Sequence, residues 1–298
     1  MKDKPLASLC ILFYRQEGFV EDTIKGALSQ TYDNLEIILS DDCSPDKTFE
    51  KIKEFVKDYK GPHKIIINRN EINMGLVPHV NKVIFELSKG NYLFLNGGDD
   101  ISLPNRVSDG VSLFEKNPKV TGVTFSRLII NKDGQEISKS IVENQHICNI
   151  NDKYYLHRPT FMAGAGAFSF RRSVIDYFGL LNSDCQTDDS VWRFRSLLLG
   201  GILCSPLFGL KYRVHDNNIS KFISNFNTDL IANQYERDLI KAKGIISSKL
   251  YKKLEKKIKF YRISRHVQEL HERQTNIVLK FFVKLLIKFL VVLQILFV

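Results

Sequence analysis

The chain has 298 residues, 44% hydrophobic and 26% charged. This composition excludes a disordered, collagen-like or disulfide-scaffold protein and leaves room for one large or two modest domains. The net charge of +10 directs attention to nucleic acid, an anionic membrane or an anionic small substrate. The charge is uneven. Lys241–Val298 holds 14 Lys and Arg against 3 Asp and Glu, whereas the first 240 residues hold 29 against 30. A diffuse nucleic-acid surface on the main body is therefore not expected. The five cysteines are odd in number, widely spaced and contain no C-x-x-C pair, so a zinc ribbon or redox motif finds no support. Cys10 and Cys204 lie in apolar runs and read as small buried residues of a protein from a reducing compartment. The apolar run after Met1–Pro5 is too short for a signal peptide and lacks a cleavage site.

In chain order, Ala7–Tyr14 is a continuous apolar run of strand length. Val20, Ile24, Ala27 and Leu28 then recur at helical spacing. Leu35–Ser40 predicts a second buried strand, and Asp46–Tyr59 a helix started by Pro45 and Asp46. Lys64–Asn68 predicts a third strand, Pro78–Ser88 a helix stopped near Gly90, and Tyr92–Leu95 a fourth strand. This alternation predicts an α/β fold with a mostly parallel, Rossmann-like sheet and flanking helices. Past Pro104 the order becomes mixed. Val120–Ile130 and Gln135–Val142 read as a hairpin around Asn131–Gly134, Asp188–Leu199 as a helix, and Ile202–Cys204 and Lys211–Val214 as two short strands. The small-residue stretch within Pro159–Phe170 reads either as a close approach to a ligand or as a packing seam. Beyond about Phe222 the pattern is helical. The domain reading is 1–222 for the main body and 223–298 for a basic helical extension.

Parallel sheets bind ligands beyond the carboxyl ends of their strands. Two pairs stand there, Asp41-Asp42 after the second strand and Asp99-Asp100 after the fourth. Adjacent carboxylates repel unless cations or hydrogen-bond donors lie nearby. A divalent metal held with a diphosphate is one such partner; helix capping is the simpler explanation for either pair alone. A third pair, Asp188-Asp189, follows Thr187 at a helix start, where Thr187 or Asp188 reads as a cap. His215 ends a strand and alone reads as a surface histidine. Neither a dinucleotide fingerprint nor a P-loop motif occurs.

Six stretches in order resemble family 2 glycosyltransferases of the GT-A fold, over about Leu6–Ser220. They are the stretch from Gly26 to Ser44 with its Gln30-Thr31-Tyr32 and Asp41-Asp42, then Asn73-x-Gly75-Leu76, Lys89-Gly90-Asn91-Tyr92, Gly98-Asp99-Asp100 with Pro104, Thr187-Asp188-Asp189, and Tyr212-Arg213-Val214-His215 with Asn218 and Ser220. The resemblance implies that Asp41 and Asp42 lie against the nucleoside, among Phe13, Tyr14, Arg15, Glu17, Asn73, Gly75, Asn96 and Gly98. It implies Asp99 as ligand of a Mn²⁺ or Mg²⁺ ion, with His215 as a further metal or diphosphate contact and Asp100 beside it. Asp189, next to Asp188, is implied as the general base. Departures are Gly97 at the first position of the D-x-D motif, where Asn96 could take up the lost ribose contact, Gly26 for Ser, Leu12–Arg15 for P-x-Y-N, and Asp188 for Glu.

The function expected is transfer of one sugar, with inversion, from a nucleotide-sugar, taken as a UDP-sugar, to a lipid-linked or other glycan acceptor in surface polysaccharide assembly of the O-antigen or capsule kind. The alternative is a non-catalytic nucleotide-sugar-binding or scaffold protein on the same fold. A nucleotidyltransferase would need a glycine-rich, arginine-containing loop after the first strand. Ile277–Val298 is apolar apart from Lys280, Lys284 and Lys288 on one helical face. With the basic run Lys249, Lys252, Lys253, Lys256, Lys257, Lys259, Arg262 and Arg265, it reads as an amphipathic helix on an anionic leaflet. The alternative is packing on the main body or another subunit. Peripheral location at the cytoplasmic face of the inner membrane follows, with no nucleic-acid partner and with self-association left open.

Overall fold

The computed structural model describes residues 4–150, 168–218 and 227–273, with side chains to 263. It opens as the alternation predicts: β1 (Ala7–Phe13), α1 (Val20–Leu28), β2 (Leu35–Asp41), α2 (Thr48–Val56), β3 (Lys64–Arg69), α3 (Leu76–Lys82) and β4 (Tyr92–Gly97). Pro78 is accommodated in the first turn of α3, where a missing N–H costs nothing, and a π-turn over Val83–Leu87 finishes that helix. The four strands pair in parallel in the order β3-β2-β1-β4.

The second half is mixed. β5 (Ile101–Ser102), α4 (Arg106–Lys116), β6 (Gly122–Ile130), β7 (Glu136–Ser140) and β8 (His146–Cys148) precede β9 (Phe168–Arg171) and α5 (Arg172–Phe178). Then come α6 (Asp189–Leu199), β10 (Ile202–Arg213), α7 (Thr228–Lys241) and α8 (Ser248–Arg273). β9 inserts antiparallel between β4 and β6, joining the two halves into one sheet. Its four residues are too few to show a period. The predicted hairpin is β6–β7. The two short strands predicted at 202–204 and 211–214 are one strand, β10. Its register against β6 slips on either side of Phe208, next to Pro206, which cannot donate to the ladder. The small-residue stretch falls on residues 151–167, outside the described residues.

Strand alternation builds a core on each face. Leu9, Ile11, Ile37, Leu39, Tyr92 and Phe94 face α1, α2 and α4. Cys10, Ile38, Leu93 and Leu95 face α3, α5 and α6. The second core also takes in Ala232 and Leu239 of α7 and Leu250, Leu254 and Ile258 of α8. The expected segment 223–298 is thus, through Ile258, continuous in packing with residues 1–222. The basic run is correspondingly divided: Lys257 is buried and pushed down to about 7 by loss of solvation, and Arg262 pairs with Asp229 and Glu236 of α7. The side chain of Arg265 and all of residues 274–298 lie outside the described residues.

α6 and α7 are locked by a buried ion pair. Arg195 Nε and Nη2 donate to Asp238 at 2.7 and 3.0 Å, with Arg195 Nη1 also on the Gly179 carbonyl. Breaking such a pair strands a buried charge, so Asp238→Ala is expected to cost about 3–5 kcal/mol. The check is a lower urea midpoint at unchanged slope; a midpoint equal to the parent's would show that the pair does not hold the two helices.

Candidate functional site

Phe13 and Asp41 end β1 and β2 in register, and Gly97 ends β4 opposite Leu12, so three loops open on one edge of the sheet. Short-range chemistry shapes each loop. Arg15 and Cys43, neither of them glycine, both have left-handed backbones, with φ of 55° and 57°. Such strain persists only where the surroundings fix it; here the Arg15 amide donates to the Ser44 hydroxyl. Tyr14 and Arg15 are exposed side by side, the guanidinium 5.3 Å from the ring. Glu17 accepts from the Lys47 amide at 2.9 Å and so joins the first loop to the start of α2.

Asp41 and Asp42 are both buried. Asp41 accepts from the Ser44 amide and hydroxyl, and Arg69 Nε stands 3.6 Å away. Burial still pushes its carboxyl up. Asp42 accepts from Asn70 Nδ2 and from the amides of Met74 and Gly75 at 2.7–2.9 Å. Asn73 caps the same Gly75 amide, and Gly75 turns with φ of 80°. Asp41 therefore shapes its own loop after β2, and Asp42 shapes the loop after β3. Behind them His79 lies buried against Ser40 at 2.7 Å and is pushed down to about 4 by desolvation, hence neutral. The sequence carried no signal for it.

The Gly97–Asp100 turn is packed from below. A Cβ on Gly98 would stand 2.2 Å from the Phe13 ring, and one on Gly97 would stand 2.6 Å from Asp99 Oδ1. The Asp99 carboxylate thus lies over Gly97, and a side chain at that position would displace it. Asn96, expected to take up the lost ribose contact, turns inward in this structure. Its side chain is buried, with Nδ2 on the Gly97 and Asp100 carbonyls and Oδ1 on Arg106 at 3.0 Å. Asp99 Oδ2 meets His215 Nε2 at 2.9 Å, and Asn218 Nδ2 at 3.3 Å. Asp100 is buried behind it. Burial and the Asp99 charge raise its carboxyl well above the usual range, against the opposing pull of the Arg213 amide, Arg106 and Arg127. Arg213 ties the turn to the rest, donating to the Asp99 carbonyl, the Lys132 carbonyl and Asp22. Ile219 and Ser220 of the same motif lie outside the described residues.

The remaining motif residues hold these loops together. Gln30 donates to the Leu103 carbonyl and accepts from the Val107 amide, fixing the segment after Asp100 to the end of α1. Gly26 stands where a side chain would strike β5, with Ser102 O 2.9 Å from a Cβ there. Buried Glu36 accepts from Ser8 and from the amides of Lys89 and Gly90.

Asp188 stands at the N-cap position of α6, without a side-chain capping hydrogen bond, and Asp189 is the first helical residue. Burial, with the Asp189 charge second, pushes Asp188 up to about 8. Arg127 of β6 lies within electrostatic range of Asp100 and Asp189 and stacks 4.6 Å from the Tyr212 ring. It links the Asp99 turn to the start of α6. The sequence reading missed Arg127, which lies in a plain strand, and Arg193, one turn beyond Asp189, whose charge opposes the rise in Asp188. A cleft of about 300 Å³ opens between Met74–Pro78 and Ser183–Gln186. A larger one, about 450 Å³, lies among Pro5, Tyr92 and Arg171 at the opposite strand ends.

Comparison with known proteins places the chain among relatives. The chain is 26% identical over 251 residues to an uncharacterized glycosyltransferase of Haemophilus influenzae, covering 80% of this chain and 75% of that protein. It is 32% identical over 128 residues to the Escherichia coli UDP-Glc:alpha-D-GlcNAc-diphosphoundecaprenol beta-1,3-glucosyltransferase WfaP, covering 43% of this chain and 48% of that one. The structure of Staphylococcus aureus TarS 1–349 in complex with UDP-GlcNAc superposes with a TM-score of 0.65 at 13% identity, over 88% of this chain and 73% of that one. Relatives thus include proteins of cell-surface glycan synthesis. With glycosyl transferase family 2 matching residues 8–179, the chain belongs to that family and is a glycosyltransferase of GT-A fold.

Proposed function

We propose that this chain transfers a single sugar, with inversion, from a UDP-sugar to a lipid-linked glycan during surface polysaccharide assembly. The observation that carries the reading is the Asp99–His215 pair at the carboxyl edge, with Arg127 in electrostatic range of both Asp100 and Asp189. The UDP-GlcNAc bound to the neighbouring fold supports the donor class, and the diphosphoundecaprenol in the name of the Escherichia coli relative supports the acceptor class.

The edge fits a divalent cation. Bonds of about 2.1 Å set neighbouring donors of an octahedral ion roughly 3.0 Å apart, and Asp99 Oδ2 and His215 Nε2 are 2.9 Å apart. Carboxylate and imidazole suit Mn²⁺, and the carboxylate suits Mg²⁺. When bound, such an ion offsets charge on the departing diphosphate as a Lewis acid. The loops carrying Phe13–Arg15 and Asn73–Gly75 enclose the nucleoside, with Asp41 and Asp42 holding their shape. Asp189 accepts the proton of the acceptor hydroxyl as that oxygen bonds to the anomeric carbon. The bond to the diphosphate breaks, and its electron pair leaves with the nucleoside diphosphate. We assign the role of base to Asp189 and not to Asp188, whose carboxyl is buried and raised to about 8.

A panel of nucleotide-sugars with Mn²⁺, read by nucleoside diphosphate release, tests the reading. Release from one UDP-sugar, enhanced by a polyprenyl-diphosphate glycan, supports it. Donor binding without release or transfer would instead favour a non-catalytic binding protein.

Among the described residues no helix is long and apolar enough to cross a membrane. We assign Ile277–Val298, with the exposed lysines of α8, to an anionic membrane surface at the cytoplasmic face. Deleting Ile277–Val298 is expected to move the protein from the membrane to the soluble fraction; a truncated protein that still sediments with membranes overturns this assignment.

A further inference from the structure

His146 and Cys148 alternate on β8, so both side chains leave the same face of that strand. The antiparallel register sets Cys204 of β10 directly opposite His146 and diagonal to Cys148. The pairing of two short segments therefore gathers one imidazole and two thiols. Their donor atoms all lie within 4.8 Å of one another, and Cys148 Sγ stands 3.6 Å from Cys204 Sγ.

Two thiolates on tetrahedral zinc, each at about 2.3 Å, are roughly 3.8 Å apart. The observed separation is close to that edge. The histidine is prepared as well. Its Nδ1 stands 2.8 Å from the Asn144 carbonyl, which can only accept, so Nδ1 carries the hydrogen and Nε2 keeps its lone pair. The backbone is also specialised. Gly201, with φ of 96°, begins the turn into β10, and a Cβ there would stand 2.9 Å from the Cys148 carbonyl. That residue lets the two strands close at the cysteines. The position is remote from the Asp99 edge: residues 202–204 start β10, and His215 follows its far end, roughly 30 Å along the strand.

We propose that His146, Cys148 and Cys204, brought together by the β8–β10 pairing, bind a thiophilic divalent cation of the zinc class. The ion would pin β8 to the start of β10. Binding replaces two S–H bonds by two metal–sulfur bonds and releases both thiol protons to solvent. The fourth position takes water or another donor, as three-ligand zinc sites do. This site is independent of the proposed transfer reaction.

The test uses the full-length chain, reduced and stripped with a chelator, titrated with Co²⁺ and then Zn²⁺. The expected result is a thiolate-to-cobalt charge-transfer band that saturates at one equivalent and is displaced by Zn²⁺; cobalt held at Asp99 and His215 has no thiolate ligand and gives no such band. Asp99→Ala retains the band, whereas Cys148→Ser and Cys204→Ser each lose it and His146→Ala weakens binding. A second measurement needs no variant: Zn²⁺ slows alkylation of Cys148 and Cys204 but not of Cys43, read by peptide mass. A band that survives in either cysteine variant overturns the proposal. So does equal alkylation of the two thiols with and without zinc, or a Cys148–Cys204 disulfide that, once reduced, takes up no metal.

Discussion

Asp189→Asn is expected to lower the rate of sugar transfer by about 10²–10⁴-fold, the usual contribution of a positioned general base. Donor affinity should hold, because the amide occupies the same volume at the start of α6 and no proton moves during donor binding. The neighbour supplies the control. Asp188 is pushed up to about 8 by burial and by the Asp189 charge, so it is protonated at pH 7 and Asp188→Asn changes little of its charge there. It should lose no more than about tenfold, an effect on orientation and not on proton transfer. Steady-state rates for the two variants at saturating donor decide the matter. Parental turnover in Asp189→Asn, or a larger loss in Asp188→Asn, would remove Asp189 from the role of base.

Asp99→Ala is expected to abolish the Mn²⁺-dependent part of donor affinity and to cut transfer on the order of a thousandfold, equivalent to several kcal/mol of lost charge stabilisation. Calorimetry with the donor, with and without Mn²⁺, measures the first effect directly; an affinity unchanged by the substitution would exclude Asp99 as a metal ligand. Unfolding does not confuse the reading. The Asp99 charge is one of the causes that raise Asp100, with burial the larger. For an acid raised in the folded state, the folded chain binds more protons than the unfolded chain, so stability is lost as pH rises above the ordinary carboxylate range. Removing Asp99 weakens this effect. The variant should therefore unfold at an equal or higher urea concentration at neutral pH while losing activity.

Much of the parallel half was legible before any coordinates. Continuous apolar runs separated by amphipathic stretches admit few arrangements, and β1 to β4 lie within one residue or two of their predicted bounds. The edge bearing Asp41, Asp42 and Asp99 followed from the same alternation. The mixed half was less legible. β9 spans four residues, and β10 was read as two strands because a proline and two register slips interrupt its period. The extension was legible as helix but not as core. Lys257 and Arg262 counted as surface charge in the sequence, whereas packing buries one and pairs the other.

The sequence by itself determined the kinds of groups present at the carboxyl edge and their order along the chain, because strand period and loop position are local properties. Only the tertiary structure decided what those groups do to one another. It turned Asp42 inward to hold a loop, laid Asp99 over Gly97 against His215, and withdrew Asn96 to Arg106. It also brought Cys148 to Cys204 across 56 residues. Such outcomes depend on strand register and on the burial of charge, which are set by contacts far apart in the chain and leave no periodic mark along it. The net charge of +10 was present from the start. Its division into buried, paired and exposed cations became definite when α7 and α8 were found packed on the catalytic core.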